Sequence, residues 1–310
     1  MKETELIERL TRGLPTADAV RVGPGDDCAV LDMGLPGQWI LFKTDAVVEG
    51  IHFAADAPPE NIGRKALARA LSDIAAMAGT PAHALVTLGL ADTHAPERIE
   101  GIYRGMADLA RQHGVAIVGG ETTTNPVLMI SVALLGTVQP SRCVRRKGSQ
   151  AGDALFVSGS LGGSLQGRHL DFEPRLPQAR WLAEHFLPHA MIDLSDGLAS
   201  DLRHLLAGSA CGAELLTSAI PISAAARKGT AKTPGKSPLL SALTDGEDYE
   251  LLFSVAPGHA VPLLDAWKGA FPDLRLSCIG RITHTPGIIL RDADGSRPLT
   301  AHGYVHFQKP

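Results

Sequence analysis

One stretch, IDLSDGLASDL at residues 192–202, constrains the fold of this chain more than any other. An apolar lead-in ends on the polar turn DLSDG (193–197), and an amphipathic segment follows as far as Gly208. The pattern predicts a strand, a tight turn and a helix, with carboxylates and a hydroxyl near helix-terminal N–H groups. Ser195 in such a turn is also typical of an ordinary helix cap, so capping and ligand binding both stay open.

Acidic residues recur in the same context along the chain, where apolar segments end or are interrupted. Burying a lone carboxylate costs several kcal/mol unless it is paired or binds a metal. Basic residues are scarce inside these motifs, with Lys43 as the exception. Oxygen ligands without a His/Cys set favour Mg²⁺ or Mn²⁺, and such sites typically serve phosphoryl transfer; solvated loop acids are the alternative. The acidic positions are Asp26, Asp27, Asp45, Asp73, Glu121, Asp193, Asp196, Glu247 and Asp248.

Composition narrows the class of protein. Of 310 residues, 29 are Lys or Arg and 33 are Asp or Glu, and the formal charge of −4 gives no reason to expect nucleic acid or an anionic membrane as partner. No apolar run approaches the roughly 20 residues of a membrane span, and residues 1–13 read as a charged amphipathic helix rather than a signal sequence. The four cysteines are far apart, which predicts a reduced, cytoplasmic protein without a zinc site or disulfides.

The pattern of elements changes near residue 141. Residues 1–140 alternate strands with helices, the clearest helices being predicted over 61–78 and 96–114, which indicates an α/β domain. The basic, turn-rich segment 141–153 then predicts a boundary, giving domains 1–140 and 141–310. In the second domain SGSLGGS (158–164) is a weak candidate for holding phosphate through backbone N–H groups.

Eight segments, taken in order, resemble the thiamine-monophosphate kinases, of the superfamily that includes aminoimidazole ribonucleotide synthetase and selenophosphate synthetase. They run nearly from end to end of the chain, and the combination of TD…EG-x-HF with LSDIAAM is specific to this kinase family. The segments are GDDCAVL (25–31), TDAVVEGIHF (44–53), LSDIAAMAGTPA (71–82), VGGETT (118–123), IDLSDGLASDL (192–202), GEDYELLF (246–253), CIG (278–280) and GYVHF (303–307).

The resemblance implies an α/β and α+β two-domain chain. Domain 1–140 would bind ATP and Mg²⁺ and would dimerise, its sheet forming a barrel across a homodimer; the α+β domain 141–310 would complete the nucleotide and substrate cleft. The implied reaction is in-line transfer of the γ-phosphoryl group of ATP to thiamine monophosphate, giving thiamine diphosphate, with several Mg²⁺ ions and no phospho-enzyme. Catalysis would then be positioning and charge neutralisation, with no general base evident.

The resemblance also implies a role for individual residues. For His52 alone, and for Tyr304 near the C-terminus, simple packing is the competing interpretation. The implied Mg²⁺ ligands are Asp27, Thr44, Asp45, Asp73, Glu121, Asp193 and Asp196. The implied nucleotide contacts are Gly120, Glu121, Arg146 and Ser195. The implied contacts to thiamine monophosphate are His52, Glu247 and Tyr304.

The chain departs from the usual pattern of the family at several positions. Glu121 stands where an aspartate is usual, Lys43 replaces a small hydroxyl residue, Val305 replaces an aspartate, and the stretch 163–173 is shortened. The Lys43 ammonium either replaces the charge of a metal near the phosphates or points to solvent. These departures suggest a reduced metal count or an altered acceptor. Two further alternatives are another ATP-dependent enzyme of the superfamily and a non-catalytic nucleotide-binding relative.

Overall fold

The computed structural model describes residues 3–229 and 236–304 of the chain, so that Val305 lies outside the described residues. The chain divides into two compact units. The first, here called the N-terminal unit, comprises 19–143 and 167–180. The second, the C-terminal unit, comprises the described residues 3–18, 144–166, 181–229 and 236–304. This grouping differs from the predicted division after residue 140 in the placement of three segments, 3–18, 141–143 and 167–180. These placements depend on tertiary contacts that local composition does not encode.

Eight helices and thirteen strands make up the regular structure of the described residues. None of these helices combines the length and apolar character that crossing a bilayer requires. The helices are α1 (Glu3–Thr11), α2 (Pro59–Ala76), α3 (Pro96–His113), α4 (Leu176–His185), α5 (Leu198–Leu206), α6 (Ala224–Gly229), α7 (Pro238–Thr244) and α8 (Ala260–Ala270). The strands are β1 (Val20–Val22), β2 (Ala29–Leu31), β3 (Trp39–Val48), β4 (Thr80–Leu90), β5 (Ala116–Thr124), β6 (Met129–Val138), β7 (Ala154–Ser158), β8 (Ala190–Asp193), β9 (Gly212–Leu216), β10 (Leu251–Val255), β11 (Leu276–Thr283), β12 (Gly287–Asp292) and β13 (Gly295–Pro298).

The N-terminal unit is built on a six-stranded sheet in the order β1-β2-β3-β6-β4-β5. Neighbouring strands are antiparallel except β4 and β5, which are parallel and are joined through α3. Side chains alternate across the sheet, so that Ile130, Val132 and Leu134 of β6 are fully buried on the side that α2 covers. The other side, here called the open face, leaves Phe42 and Leu85 46% and 49% exposed.

Helix α2 is the central element beneath that sheet. Its sequence, PENIGRKALARALSDIAA, is rich in Ala and Leu and carries Pro59 in the first turn, where a missing N–H costs nothing. It contacts β3, β4 and β6 on one side and α3 on the other, so most of its surface is buried. Asp73 lies near its C-terminal end and is only 6% exposed. A carboxylate at such a position requires a cationic partner or a metal.

The C-terminal unit is built on a seven-stranded sheet in the order β13-β12-β9-β11-β7-β10-β8. Strand β8 lies at one edge and ends on Asp193, which is paired in register with Leu251 of β10. Helix α5 follows after four residues and packs back on β8. Leu202 of that helix joins Ile192 in the hydrophobic core, which fixes the DLSDG turn at the end of the strand. The predicted strand, turn and helix around this motif are confirmed.

Candidate active site

Lys43 and Asp45 lie on the helix-facing side of β3. The register pairs Lys43 with buried Leu134 of β6, whereas Thr44 between them is exposed on the open face. The Lys43 ammonium nitrogen lies 3.0 Å from Asp73 Oδ2 and 3.7 Å from Asp45 Oδ2. Lys43 is therefore an ion-pair partner of two predicted metal ligands. Of the two possibilities for this residue, pointing to solvent is wrong.

The charges of this group stabilise one another in their ionised forms. Burial alone would lower the pKa of Lys43, but the neighbouring carboxylates of Asp73 and Asp45 outweigh it and raise the pKa above its ordinary value. Burial would raise the pKa of Asp45, yet Lys43 and Arg69 hold it below the ordinary value. Arg69 Nη2 lies 3.4 Å from Asp45 Oδ1. These shifts favour the cationic form of Lys43 and the anionic form of Asp45.

Asp27 and Asp73 form a second contact within this group. Asp27 is 1% exposed, and one carboxylate oxygen of each residue lies within 4.8 Å of the other. Mg²⁺ binds carboxylate oxygens at about 2.0–2.1 Å, so two oxygens with this separation can reach one ion after a small adjustment. The donors are oxygens only, which suits a hard cation. Asp27 and Asp73 consequently fit magnesium, whereas the Asp45–Asp73 position is taken by an ammonium group.

Thr44 and Glu121 point away from these carboxylates. The Thr44 hydroxyl lies 3.3 Å from Ser131 Oγ on the open face. The register pairs Glu121 of β5 with Thr87 of β4, which assigns the Glu121 side chain to the same face. The structure therefore does not bring the Thr44 hydroxyl or Glu121 to Asp45, because strand alternation separates the two faces. Their roles as ligands stay predictions without support from the geometry.

Gly120 has a structural reason to be glycine that is independent of any nucleotide. A Cβ atom built at this position would lie 1.8 Å from the carbonyl oxygen of Val86 on β4. No side chain can be accommodated so close to a backbone oxygen, so glycine permits β5 to pair with β4 here. The predicted approach of a nucleotide to Gly120 remains untested by this observation.

His52 is held in a turn directly after β3. The Val48 N–H donates to His52 Nδ1 at 3.0 Å, which makes Nδ1 the acceptor nitrogen of the ring. The Lys65 ammonium donates to the His52 carbonyl oxygen at 2.6 Å and lies 2.8 Å from His169 Nδ1. Lys65 is completely buried in α2. Sequence reasoning missed Lys65 and His169, although a lysine amid apolar residues on a buried helix was a usable signal.

In the C-terminal unit, three segments meet through their main chains at the DLSDG turn. The Glu247 N–H donates to the Ser195 carbonyl at 2.7 Å, and the Tyr304 N–H donates to the Asp196 carbonyl at 2.9 Å. Gly303 approaches so closely that a Cβ there would lie 1.8 Å from the Asp196 carbonyl oxygen. Four residues predicted from three separate motifs are therefore brought together by backbone hydrogen bonds: Ser195, Asp196, Glu247 and Tyr304.

Helix α5 is not capped by Ser195. The N-cap residue is Gly197, with φ of 100° and no side-chain capping bond, which places Ser195 two residues outside the helix. Asp201, in the first turn of the helix, accepts a hydrogen bond of 3.1 Å from the Asp196 N–H instead. The capping interpretation of Ser195 is wrong, because the left-handed glycine turns the chain before the helix begins.

Asp201 and His204 join Asp196 in a group that sequence reasoning did not include. Each residue offers one ligand atom, and the three atoms lie within 4.8 Å of one another. Burial, followed by the nearby carboxylates of Asp196 and Asp193, raises the pKa of Asp201 well above its ordinary value, while the Arg146 guanidinium acts in the opposite direction. The three-residue spacing of Asp201 and His204 on one helix face was the signal that could have indicated them.

In the glycine turn at 158–164, backbone N–H groups donate hydrogen bonds to aspartate side chains of the chain itself. The Gly162 N–H lies 3.0 Å from both oxygens of Asp248, and the Gly163 N–H donates to Asp245 at 2.7 Å. The Ser164 hydroxyl also donates to Asp248, at 2.5 Å. The predicted phosphate contact is therefore wrong for Gly162 and Gly163, because their donors are already engaged.

Glu247 is held in a strained backbone conformation. Its φ is +53° and that of Tyr249 is +49°, values that non-glycine residues rarely adopt. Such a residue costs on the order of 1–3 kcal/mol and persists only where its surroundings enforce it. Here the buried Asp248 between them, bound to Gly162 and Ser164, supplies that constraint. The strain fixes the direction in which the Glu247 carboxylate leaves the main chain.

Known proteins similar to this chain cover nearly all of it. Residues 25–138 match the family model described as AIR synthase related protein, N-terminal domain. Over 306 residues the chain is 41% identical to the thiamine-monophosphate kinase of Rhodopirellula baltica, covering 96% of this chain and 93% of that protein. The chain belongs to the thiamine-monophosphate kinase family.

Other thiamine-monophosphate kinases support the same assignment. The protein from Escherichia coli strain K12 is 34% identical over 314 residues, covering 94% of this chain and 93% of its own length. The solved structure of AaThiL complexed with AMPPCP and TMP matches with a TM-score of 0.84 at 30% identity, covering 99% of this chain and 97% of that chain. The resemblance inferred from the motifs is thus confirmed, as is the mixed α/β fold with two sheets.

Among the positions at which this chain departs from the family pattern, the shortened stretch 163–173 ends on Glu173, whose side chain is held by several partners. The Glu173 carboxylate accepts hydrogen bonds from Arg64 at 2.7 Å and Gln112 at 2.8 Å, and it lies 3.0 Å from His113 Nε2. Burial would raise the pKa of Glu173, but these partners lower it to about 2. The end of the shortened stretch is therefore anchored to α2 and α3 by ionic hydrogen bonds.

Proposed function

We propose that this chain transfers the γ-phosphoryl group of ATP directly to the phosphate of thiamine monophosphate, releasing thiamine diphosphate and ADP. The observation that carries the proposal is the 41% identity to a thiamine-monophosphate kinase across 96% of the chain. The buried carboxylates at the family motifs agree with such a reaction. We place the activity in the cytoplasm, because all four cysteines are free thiols, as in reducing compartments.

Magnesium, when bound, would neutralise the phosphate oxygens and hold them in line for transfer. In the N-terminal unit Asp27 and Asp73 would hold it, since both are buried and their oxygens lie close together. In the C-terminal unit the proposed ligands are Asp193 and Asp196, on the turn at the end of β8. Burial, and after it the carboxylates of Asp196 and Asp193, raises the pKa of Asp201, and the same accumulation of carboxylates favours a cation beside that turn.

The remaining predicted residues would position the two substrates. Arg146 would pair with phosphate oxygens and Ser195 would donate its hydroxyl to the nucleotide. Glu247 and Tyr304 would hold thiamine monophosphate, because both are tied by their main chains to the same turn as Ser195 and Asp196. His52 would serve the same substrate. No general base is required, since the acceptor phosphate is already ionised at neutral pH.

Incubation of the protein with ATP, Mg²⁺ and thiamine monophosphate tests the proposal when the products are separated by chromatography. Equal amounts of ADP and thiamine diphosphate are expected, and a chelator should abolish both. ATP turnover without thiamine diphosphate would indicate a different enzyme of the same superfamily. Thermal stabilisation by ATP and Mg²⁺ without product from any acceptor would indicate a non-catalytic nucleotide-binding relative.

We also propose that the chain forms a homodimer in which a second copy covers the open face, closing the sheet into a barrel. Leu85 and Val118 are 49% and 60% exposed there, and β5 is an edge strand of the described sheet. Exposed apolar side chains beside a sheet edge are typical of an association surface. Sedimentation should report a dimer that Val118→Asp converts to monomers. Val261→Asp, at a 68% exposed position on α8, is the matched control.

A further inference from the structure

We infer that Lys43 supplies from the chain itself the positive charge that a divalent cation would otherwise bring between Asp45 and Asp73. The chain then binds one Mg²⁺ fewer at this position than the same chain with a small hydroxyl residue at 43. The inference rests on the proposed function for the identity of the metal. Asp27 and Asp73 remain the ligands proposed above for Mg²⁺ in this unit.

The distances place the ammonium group where a shared metal would have to lie. Lys43 Nζ is 3.0 Å from Asp73 Oδ2 and 3.7 Å from Asp45 Oδ2. A Mg²⁺ ion shared by these carboxylates would stand about 2.0–2.1 Å from each oxygen, in the space between them. The ammonium nitrogen and its protons fill that space, and two cations at such a separation repel strongly. Lysine and metal are therefore mutually exclusive at this position.

The strand prevents Lys43 from moving aside to the open face. Successive residues of β3 alternate between the two faces, and Lys43 pairs in register with Leu134, which is fully buried. Its side chain is only 23% exposed. To reach the open face the side chain would have to pass through the sheet. The ammonium is consequently confined to the side on which Asp45 and Asp73 lie.

Two cationic side chains, those of Lys43 and Arg69, contact the Asp45–Asp73 pair. Asp45 forms ion pairs through both of its oxygens: Oδ2 lies 3.7 Å from Lys43 Nζ, and Oδ1 lies 3.4 Å from Arg69 Nη2. Asp73 Oδ2 lies 3.0 Å from the same Lys43 nitrogen. Replacing Lys43 by serine would remove the ammonium group that the two carboxylates share and would leave Asp45 its contact with Arg69. Such a carboxylate pair attracts a divalent ion, because buried carboxylates must be compensated.

Counting bound Mn²⁺ per chain tests the inference. Free Mn²⁺ is measured by electron paramagnetic resonance during titration of the wild type, Lys43→Ser and Lys268→Ser, each with a saturating non-hydrolysable ATP analogue. Lys268 pairs with Asp265 at 3.3 Å on the surface of α8, so Lys268→Ser is the matched loss of an ammonium beside an aspartate. Lys43→Ser should bind one Mn²⁺ more per chain than the wild type, and Lys268→Ser the same number. Equal counts for Lys43→Ser and the wild type would overturn the inference.

Melting curves with and without Mg²⁺ give a second, independent readout. Lys43→Ser should melt below the wild type in chelator, and Mg²⁺ should raise its melting temperature more than that of the wild type. Lys43→Gln, which keeps most of the length of the side chain, is measured beside it in case the serine variant does not fold. An unchanged response to Mg²⁺ in both variants contradicts the inference.

Neither readout requires thiamine monophosphate, so the two proposals fail separately. If Lys43→Ser binds an extra Mn²⁺ but the wild type forms no thiamine diphosphate, the proposed function is contradicted and the role of Lys43 is supported. Normal thiamine diphosphate formation together with equal Mn²⁺ counts removes only the role of Lys43.

Discussion

The carboxylate groups of the two units are held in place by different forces. In the C-terminal unit, Ser195 and Asp196 are fixed through their own carbonyl groups, which accept backbone hydrogen bonds from Glu247 and Tyr304. In the N-terminal unit, Asp45 and Asp73 are fixed through their side chains, by ion pairs to Lys43 and Arg69. Main-chain hydrogen bonds tolerate side-chain replacement, whereas ion pairs depend on it. Replacing the Lys43 side chain can therefore change the cation in the N-terminal unit, whereas replacing the side chain of Ser195 or Asp196 leaves the hydrogen bonds of the turn in place.

We expect the largest effect from Asp193→Asn in the C-terminal unit, which should lower the catalytic activity. The variant keeps the size of the side chain and the backbone bonds of the turn, so its melting temperature should change little. Loss of the charge should lower kcat by about 10²- to 10³-fold, the order seen when one electrostatic contact to a transition state is removed. The assay is thiamine diphosphate formation, with Asp294→Asn in the exposed β12–β13 turn as control. A large fall in melting temperature would show that the side chain, not the main chain, holds the turn.

We expect the next largest effect from Lys43→Ser in the N-terminal unit, which should lower the stability of the protein. Removing one partner from a mostly buried ion-pair group leaves uncompensated carboxylates, and we expect the free energy of unfolding in chelator to fall by roughly 2–3 kcal/mol. Urea denaturation measures this difference. Lys268→Ser should change it by less than about 0.5 kcal/mol, because its pair with Asp265 is exposed. Equal stabilities for the two variants would mean that charge does not hold the N-terminal group.

A smaller effect is expected from Gly246→Ala, which acts on the main chain of the C-terminal unit. Gly246 has φ of +72°, and a Cβ there would lie 2.7 Å from the Ser195 carbonyl oxygen. The strained conformation and the close contact together should cost about 2 kcal/mol in the free energy of unfolding. Gly258→Ala is the control, since a Cβ at that position meets nothing within 4 Å. A cost no greater than that of the control would contradict the main-chain account of the turn.

The smallest effect is the pH-dependent contribution of Glu173 to the N-terminal unit. Its folded-state pKa of about 2 lies below the ordinary glutamate value, so its contribution is present above about pH 4.3 and is lost as the pH falls towards 2. Because the side chain is 39% exposed, we expect Glu173→Gln to cost only about 1 kcal/mol at pH 7. Denaturation between pH 7 and pH 2 should show the difference from the wild type disappearing. Glu100→Gln, at an exposed position on α3, should show no such trend.

Local features of the chain were predictable because short-range geometry sets them. The helices predicted over 61–78 and 96–114 correspond to α2 (Pro59–Ala76) and α3 (Pro96–His113), since their apolar spacing and their Pro and Gly boundaries act within a few residues. The cap on α5 was mispredicted, because the left-handed turn at Gly197 displaces the helix start beyond Ser195. The alternation of side chains along β3 places Thr44 on the face opposite to Asp45, and counting residues along the predicted strand would have shown this.

By itself, the sequence determined the elements, the order of the motifs and the family to which the chain belongs. It also placed a lysine beside the Thr44–Asp45 pair. Only the tertiary structure decided which charges meet: Lys43 with Asp73 from another element, and the N–H groups of Gly162 and Gly163 with Asp248 and Asp245 rather than with phosphate. Backbone periodicity is fixed by neighbours in sequence, whereas the partner of a buried charge depends on how distant elements pack, because its desolvation must be compensated wherever it comes to lie.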